Sequence, residues 1–355
     1  MILVGDTDSK ERNIMAALKK CVFGVLNVQA LRTPSLFTAE RNIKRWVAPT
    51  LKEMKRRKLK MGPEAPVHRS TFLDWNYHSE LYAFGKRLGE DFRKDVLQCA
   101  FTHRSYIIQE EMKQKEVGIE DPKLWLEDNE ELAKMGEKLM SEYLKQHLRV
   151  ALPRFPEEGI CGINDYLMSD ATLAHVSKHI GTTDIILCSD FPVTDTTLAK
   201  TFKAIVGALA ESSGEDKARE FVRDFVLTQL AGKDVNEIWV VQDPMKILTD
   251  ILKRDGKSEP EPRLINECGR NTILASYQVA VYCSKEFMGV GYGETISIAV
   301  EMAARDALKR LFQTTENMKP IPFTMNVNVP LNNKFKQNVS VDNWNSKNVP
   351  NVVQC

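Results

Sequence analysis

Several features that would classify a chain quickly are scarce in this one. Its 355 residues hold seven cysteines (Cys21, Cys99, Cys161, Cys188, Cys268, Cys283, Cys355), scattered and without a C-x-x-C pair. An odd, dispersed set argues for reduced thiols and against a disulfide framework or a zinc site; no cofactor is expected, and the case against a metal rests on the motifs below. No apolar run approaches the roughly 20 residues of a membrane span, which predicts a soluble chain. The net charge is only +1. What is present is a 43% apolar fraction, enough to fill a core and to exclude a wholly disordered chain.

The near-zero net charge hides a local asymmetry. Arg41, Lys44, Arg45, Lys52, Lys55, Arg56, Arg57, Lys58 and Lys60 crowd one stretch against a lone Glu53. Such a run suits a polyanion, with a solvated basic tail as the plainer reading. From Met15 through Ala39 there is no acidic residue, while Lys19, Lys20 and Arg32 punctuate apolar residues. An acid-free, basic, amphipathic stretch has the character of a mitochondrial transit peptide. Asp6, Asp8 and Glu11 break that character upstream, which leaves Met15 as an alternative start.

Punctuation and periodicity divide the rest. Gly62-Pro63-Glu64-Ala65-Pro66 reads as a linker. Asp74 is placed to cap a helix through Tyr77, Leu81, Phe84 and Leu88, and Asp91 to open a second one. A helix-and-loop insertion over 110–128 precedes a long helix (130–149), a helix pair (160–180) and two further helices (196–212, 215–231). Nothing there alternates with period two, so this part reads as all-α. Past Gly232, Asp243-Pro244 starts a helix, and Tyr277, Val279 and Val281 alternate as a half-buried strand should. A short strand around Phe287–Val290 and an Ala-rich helix from Glu294 to Phe312 complete an α+β module. The tail from Gln313 lacks helical periodicity and reads as disordered alone or extended against a partner.

Three ordered motifs resemble those of ribonuclease III. The first is Phe92, Leu97 and Ala100-Phe101-Thr102-His103-Arg104-Ser105-Tyr106; the second is Asn129–Leu139; the third is Leu198–Gly207. The resemblance implies an all-α ribonuclease III-like domain over 74–232. Positions matching Ala133, Glu137, Lys200 and Lys203 are carboxylates in active members of that family. Residues three or four apart share a helix face, so two facing helices would bring four carboxylates to one focus. Magnesium held there supplies a metal-bound water and steadies the leaving oxygen. Here one carboxylate survives. Ala133 offers no ligand, and an ammonium has three donors and no lone pair for a metal. At 4 Å, two unit charges interact by about 4 kcal/mol at an effective dielectric of 20, so Lys200 and Lys203 would repel a dication more than Glu137 attracts it.

A non-catalytic scaffold follows, with Glu137 expected to pair with Lys200 or Lys203 in place of a metal. Gly136 is read as allowing close helix approach, and Leu132, Met135 and Leu139 as core. His103 is read as a hydrogen-bonded core histidine rather than a general base. His175 and His179 share the spacing of zinc ligands but lack a third partner and a glutamate between them, so they are read as surface residues.

Gly289-Val290-Gly291-Tyr292-Gly293-Glu294-Thr295, ahead of Ala299, Ala303, Ala304 and Ala307, resembles the end of a double-stranded-RNA-binding domain. The implied module is α-β-β-β-α over 243–313, its glycines forming a turn into the last helix. That family recognises duplexes by shape and phosphate contacts. The positions matching its helix-start lysines are Ile296 and Ser297, and its minor-groove loop is represented by Gly269-Arg270-Asn271-Thr272. Arg270 and Asn271 remain as candidate RNA contacts, and Ile296 and Ile298 suggest packing against protein.

Together the motifs resemble the ribonuclease III-like proteins of the mitochondrial large ribosomal subunit. The division implied is a transit region (1–40), a basic arm and linker (41–73), the two domains, and an extended or disordered tail (314–355). Implied partners are large-subunit mitochondrial rRNA and neighbouring mitochondrial ribosomal proteins, with a second ribonuclease III-like chain left open. Two alternatives stay open: a magnesium-dependent endonuclease using Glu130 and Glu131, and a non-ribosomal adaptor.

Overall fold

The computed structural model describes residues 34–62, 69–118, 126–270, 272–315, 321 and 337–347, with side chains from 48 onward. Helix α1, Pro34–Met61, lies in a unit of its own, and the residues from 69 onward form the other. Helix α1 is continuous across residue 40. Its end is set by Gly62, whose φ of +84° is the left-handed conformation that stops a helix cheaply only at glycine. Lys58 and Lys60 occupy the last turn, where cations favour the helix dipole. Residues 1–33, including the proposed transit stretch up to that point, lie outside the described residues.

The second unit opens with α2 (Tyr77–Leu88), α3 (Lys94–Phe101) and α4 (Arg104–Glu116). Asn76, not Asp74, caps α2: its side chain accepts from the Ser79 amide at 3.3 Å. Likewise α3 begins at Lys94, three residues after Asp91, with Arg93 as its cap residue. Next come α5 (Glu130–Ala151), α6 (Glu157–Leu167), α7 (Asp170–Ile180), α8 (Asp195–Ser213), α9 (Glu215–Phe225) and the short α10 (Val235–Ile238). Ten residues of α8 are buried, among them Leu198, Phe202, Ile205, Val206 and Leu209. A helix apolar on most sides must sit inside others, and α3, α5, α7 and α9 surround it.

The crossing of α5 on α8 is set by glycine. A Cβ at Gly136 would overlap the Lys203 carbonyl, and one at Gly207 would overlap the Leu132 carbonyl. The expectation for Gly136 holds. Leu132 is buried as expected, Leu139 only partly, and Met135 is 40% exposed, which corrects its reading as core.

The α+β module consists of α11 (Pro244–Asp255), β1 (Glu261–Cys268), β2 (Ser276–Cys283), β3 (Glu286–Gly293) and α12 (Ile296–Phe312). The strands form one antiparallel sheet in the order β1-β2-β3. Gly289, Gly291 and Gly293 are residues of β3, not of a turn. They are small because α12 lies on them: a Cβ at Gly291 would overlap the Ala303 amide, and one at Gly289 would meet Ala307. In β2, Val279, Ala280 and Val281 are all buried, so the expected alternation holds only at its C-terminal end, over Val281, Tyr282 and Cys283.

The tail behaves differently from expectation where it is described. Residues 337–347 pack on the chain itself. Trp344 is fully buried, 5.3 Å ring to ring from Phe312, and its indole N–H donates to the Arg154 carbonyl at 2.9 Å. Arg254 donates to the Val341 and Trp344 carbonyls at 2.8 and 2.9 Å. The Asn338 amide donates to the Leu152 and Phe155 carbonyls at 2.9 and 2.8 Å. This strap joins the α5–α6 turn to α11 and α12, and one apolar core runs through both modules.

Candidate functional site

The positions that should carry chemistry converge where α5 crosses α8, and what meets there is charge paired with charge. The Lys203 ammonium donates to Glu137 Oε1 at 2.9 Å. The Lys200 ammonium donates to Glu130 Oε1 at 3.1 Å, and the Arg104 guanidinium lies 3.8 Å from the other oxygen of Glu130. Glu137 therefore pairs with Lys203, as one of the two expected options. Lys200 instead takes Glu130, which helix spacing and the family motif offer only as an alternative metal ligand. Ala133 is buried and contributes packing.

Local structure explains the placement. Asn129 is buried ahead of α5, donating through its side chain to the Ala100 carbonyl at 3.3 Å and through its amide to the Thr102 carbonyl at 3.2 Å. That anchors the start of α5 against α3 and presents Glu130 to α8. The hydrogen bond and charge of Lys200, followed by the charge of Arg104, hold the Glu130 carboxyl below the usual range. The Lys203 side chain is only 15% exposed while its partner Glu137 is 53% exposed, so the lysine reaches outward from under α5 to a carboxylate at the surface.

His103 is half-buried and caps α4: its Nδ1 accepts from the Ser105 amide at 3.3 Å and lies 2.8 Å from the Ser105 hydroxyl. Burial, then the nearby Lys200 ammonium, holds its imidazole below the usual value. The cap, rather than core packing, is its structural role. Among the described residues no three His, Cys, Asp or Glu side chains converge as metal ligands. His175 and His179 are exposed, with ring centroids 4.3 Å apart.

The RNA-contact candidates are dispersed. Lys55, Arg56, Arg57, Lys58 and Lys60 lie on the exposed end of α1, where Arg56 and Arg57 approach Glu53 at 3.8 and 3.5 Å. The side chains of Arg41, Lys44 and Arg45 lie outside the described residues, and so does Asn271. Arg270 is exposed and 3.6 Å from Glu267. At the same end of the sheet, Ile296 and Ile298 are about half exposed, as the apolar reading of this surface expected. Ile273 and Leu274 are 101% and 85% exposed in the β1–β2 loop, at the same end of the sheet. Sequence reasoning did not single out that pair; two bulky apolar residues directly after Gly269-Arg270-Asn271-Thr272 were the available signal.

Comparison with known proteins agrees with the two-module layout. A family described as large ribosomal subunit protein mL44, endonuclease domain, matches residues 76–209, and one described as the MRPL44 dsRNA-binding domain matches 239–345. Large ribosomal subunit protein mL44 of Caenorhabditis elegans is 34% identical over 303 residues, covering 84% of this chain and 75% of that protein. Ribonuclease 3 of Enterococcus faecalis is 27% identical over 226 residues, covering 62% of this chain and 91% of the enzyme. The nuclease domain of ribonuclease III from Campylobacter jejuni superposes with a TM-score of 0.34 at 18% identity, covering 41% of this chain and 94% of that one. No helix among the described residues is long and apolar enough to cross a membrane.

Proposed function

The chain belongs to the mL44 family of large ribosomal subunit proteins, and from that premise we propose that it is a structural, non-cleaving component of the mitochondrial large ribosomal subunit. The observation that carries the non-catalytic part is the pair of salt bridges at the α5–α8 crossing. Where the ribonuclease III resemblance calls for carboxylates around a dication, Lys203 and Lys200 stand 2.9 and 3.1 Å from Glu137 and Glu130. Each ammonium fills its carboxylate's coordination with a cation that has no lone pair and no water to activate. The ion pairs tie the two helices together, as a bound metal would.

In this reading the surface binds rRNA by shape and charge. The lysines and arginines on α1, with Arg41, Lys44 and Arg45 before them, neutralise phosphates, and Arg270 and Asn271 supply polar contacts at one end of the module. The apolar residues at that same end (Ile273, Leu274, Ile296, Ile298) suit neighbouring ribosomal proteins, since exposed apolar groups of this size are enriched in interface cores. The division into a transit region over 1–40, a basic arm, two domains and a tail belongs to the same proposal, and so does a matrix location.

Sedimentation of mitochondrial lysate containing the tagged chain tests it. Co-migration with the large subunit in magnesium-containing gradients is expected. Recovery only in light fractions would overturn the ribosomal reading and favour an adaptor.

A further inference from the structure

On the helical domain, two cavities of about 630 and 350 Å³ meet at Met135 and Glu211, which line both, and together form one groove. Its larger part lies between the start of α3, the start of α5 and the end of α8, and its smaller part between the middle of α5, the end of α8 and the start of α9. Its larger part is lined by Asp95, Glu127, Asp128, Glu131 and Glu211. The one cation lining that part is Arg93, whose guanidinium is 3.4 Å from Glu211; the smaller part adds Lys138 and Arg219, the latter held by Glu215 and Asp216 at 2.9 and 3.0 Å, beside Glu142. Among the described residues, Asp95, Glu127, Asp128 and Glu131 have no ion-pair partner. Val96, Leu132 and Met135 supply the apolar lining of the larger part, and Met135 is 40% exposed where helical spacing predicted a core residue. The Cys99 thiol in its wall is pushed up to about 11, by burial first and then by Glu127, Asp128, Glu211 and Glu131.

These features select an occupant by exclusion and by fit. RNA would set phosphates against unpaired carboxylates. A second copy related by a twofold axis would bring the same carboxylates against themselves. A cationic segment carrying an apolar side chain satisfies both the carboxylates and the apolar lining. We propose that this groove docks a lysine- or arginine-rich segment of a neighbouring protein, with one apolar side chain of that segment resting on Met135. The proposal extends the ribosomal reading but needs only the groove, so it is tested on the purified full chain.

The probe is a short dye-labelled peptide alternating lysine and leucine, followed by fluorescence anisotropy, with hydrogen exchange to locate it. Binding is expected to weaken about fivefold in Glu127→Gln/Glu131→Gln, two partly exposed ion pairs' worth, and to weaken in Met135→Asn. It should be unchanged in Glu286→Gln/Glu294→Gln, two exposed carboxylates of the other module. Exchange should slow over 93–99 and 127–135. Absence of binding, equal weakening in the distant pair, or protection only elsewhere would overturn the proposal. Slowed exchange over those segments with duplex RNA would hand the groove to nucleic acid. A concentration-dependent dimer lost in Met135→Asn would hand it to a second copy.

Discussion

An ammonium and a magnesium ion can each satisfy a carboxylate, but only the metal lowers the pKa of a bound water and holds a leaving oxygen. Lys203 and Lys200 therefore change what the α5–α8 crossing can do while keeping its charge nearly balanced. The Lys203 side chain is largely covered, so Lys203→Met combined with Glu137→Gln is expected to show a coupling of about 0.5–1 kcal/mol in urea unfolding, the range for a well-formed partly exposed pair. Zero coupling would mean that the contact only reflects proximity. His103 adds a pH dependence. Its folded pKa lies below the unfolded value because of burial and Lys200. The unfolded chain thus binds more protons between the two values, and stability rises with pH across that window. The contribution is whole above about 6.5, the unfolded value, and is lost as pH falls through the folded one. Glu130, also depressed, acts in the same direction at lower pH. His103→Asn keeps a capping oxygen, so its urea midpoint should fall less than the parent's between about pH 7 and 5; an unaltered slope would contradict the assignment.

At the scale of elements, the strap over 337–347 has the largest expected effect. Burying Trp344 against Phe312 and Arg154 links the turn after α5 to α11 and α12. Trp344→Ala is expected to cost about 3–5 kcal/mol, as for a buried tryptophan, and to speed hydrogen exchange in Pro244–Asp255 and around Leu152–Glu157. An unchanged exchange pattern would show that the modules hold together without it. The sequence could not reveal the strap, because the partners of Trp344 lie 32 and 190 residues away in the chain and an Asn-rich tail has no periodicity to read. The helices were legible because their apolar faces repeat, and Gly136 because close crossings demand the smallest residue. Strand β3 was half-read as a turn, since glycines erase the side-chain alternation that marks a strand. Met135 was misread for the opposite reason: its spacing is that of a core position, but the face it shares with the acidic groove is uncovered. Within the site, Glu137 with Lys203 followed from helix period and family motif. Glu130 with Lys200 did not, because that pairing depends on Asn129 docking on α3.

Across the whole molecule, the net charge of +1 averages surfaces of different kinds. One is the basic exposed end of α1, another the acidic groove beside Met135, a third the apolar end of the sheet with Ile273 and Ile296. An active-site framework with ammonium groups where a metal would act should leave RNA uncut. This is tested most directly by incubating the purified full chain with labelled duplex RNA, with and without magnesium, beside an active ribonuclease III. The account predicts intact RNA in both samples while the control enzyme cleaves. Magnesium-dependent cleavage that disappears in Glu137→Gln would contradict it.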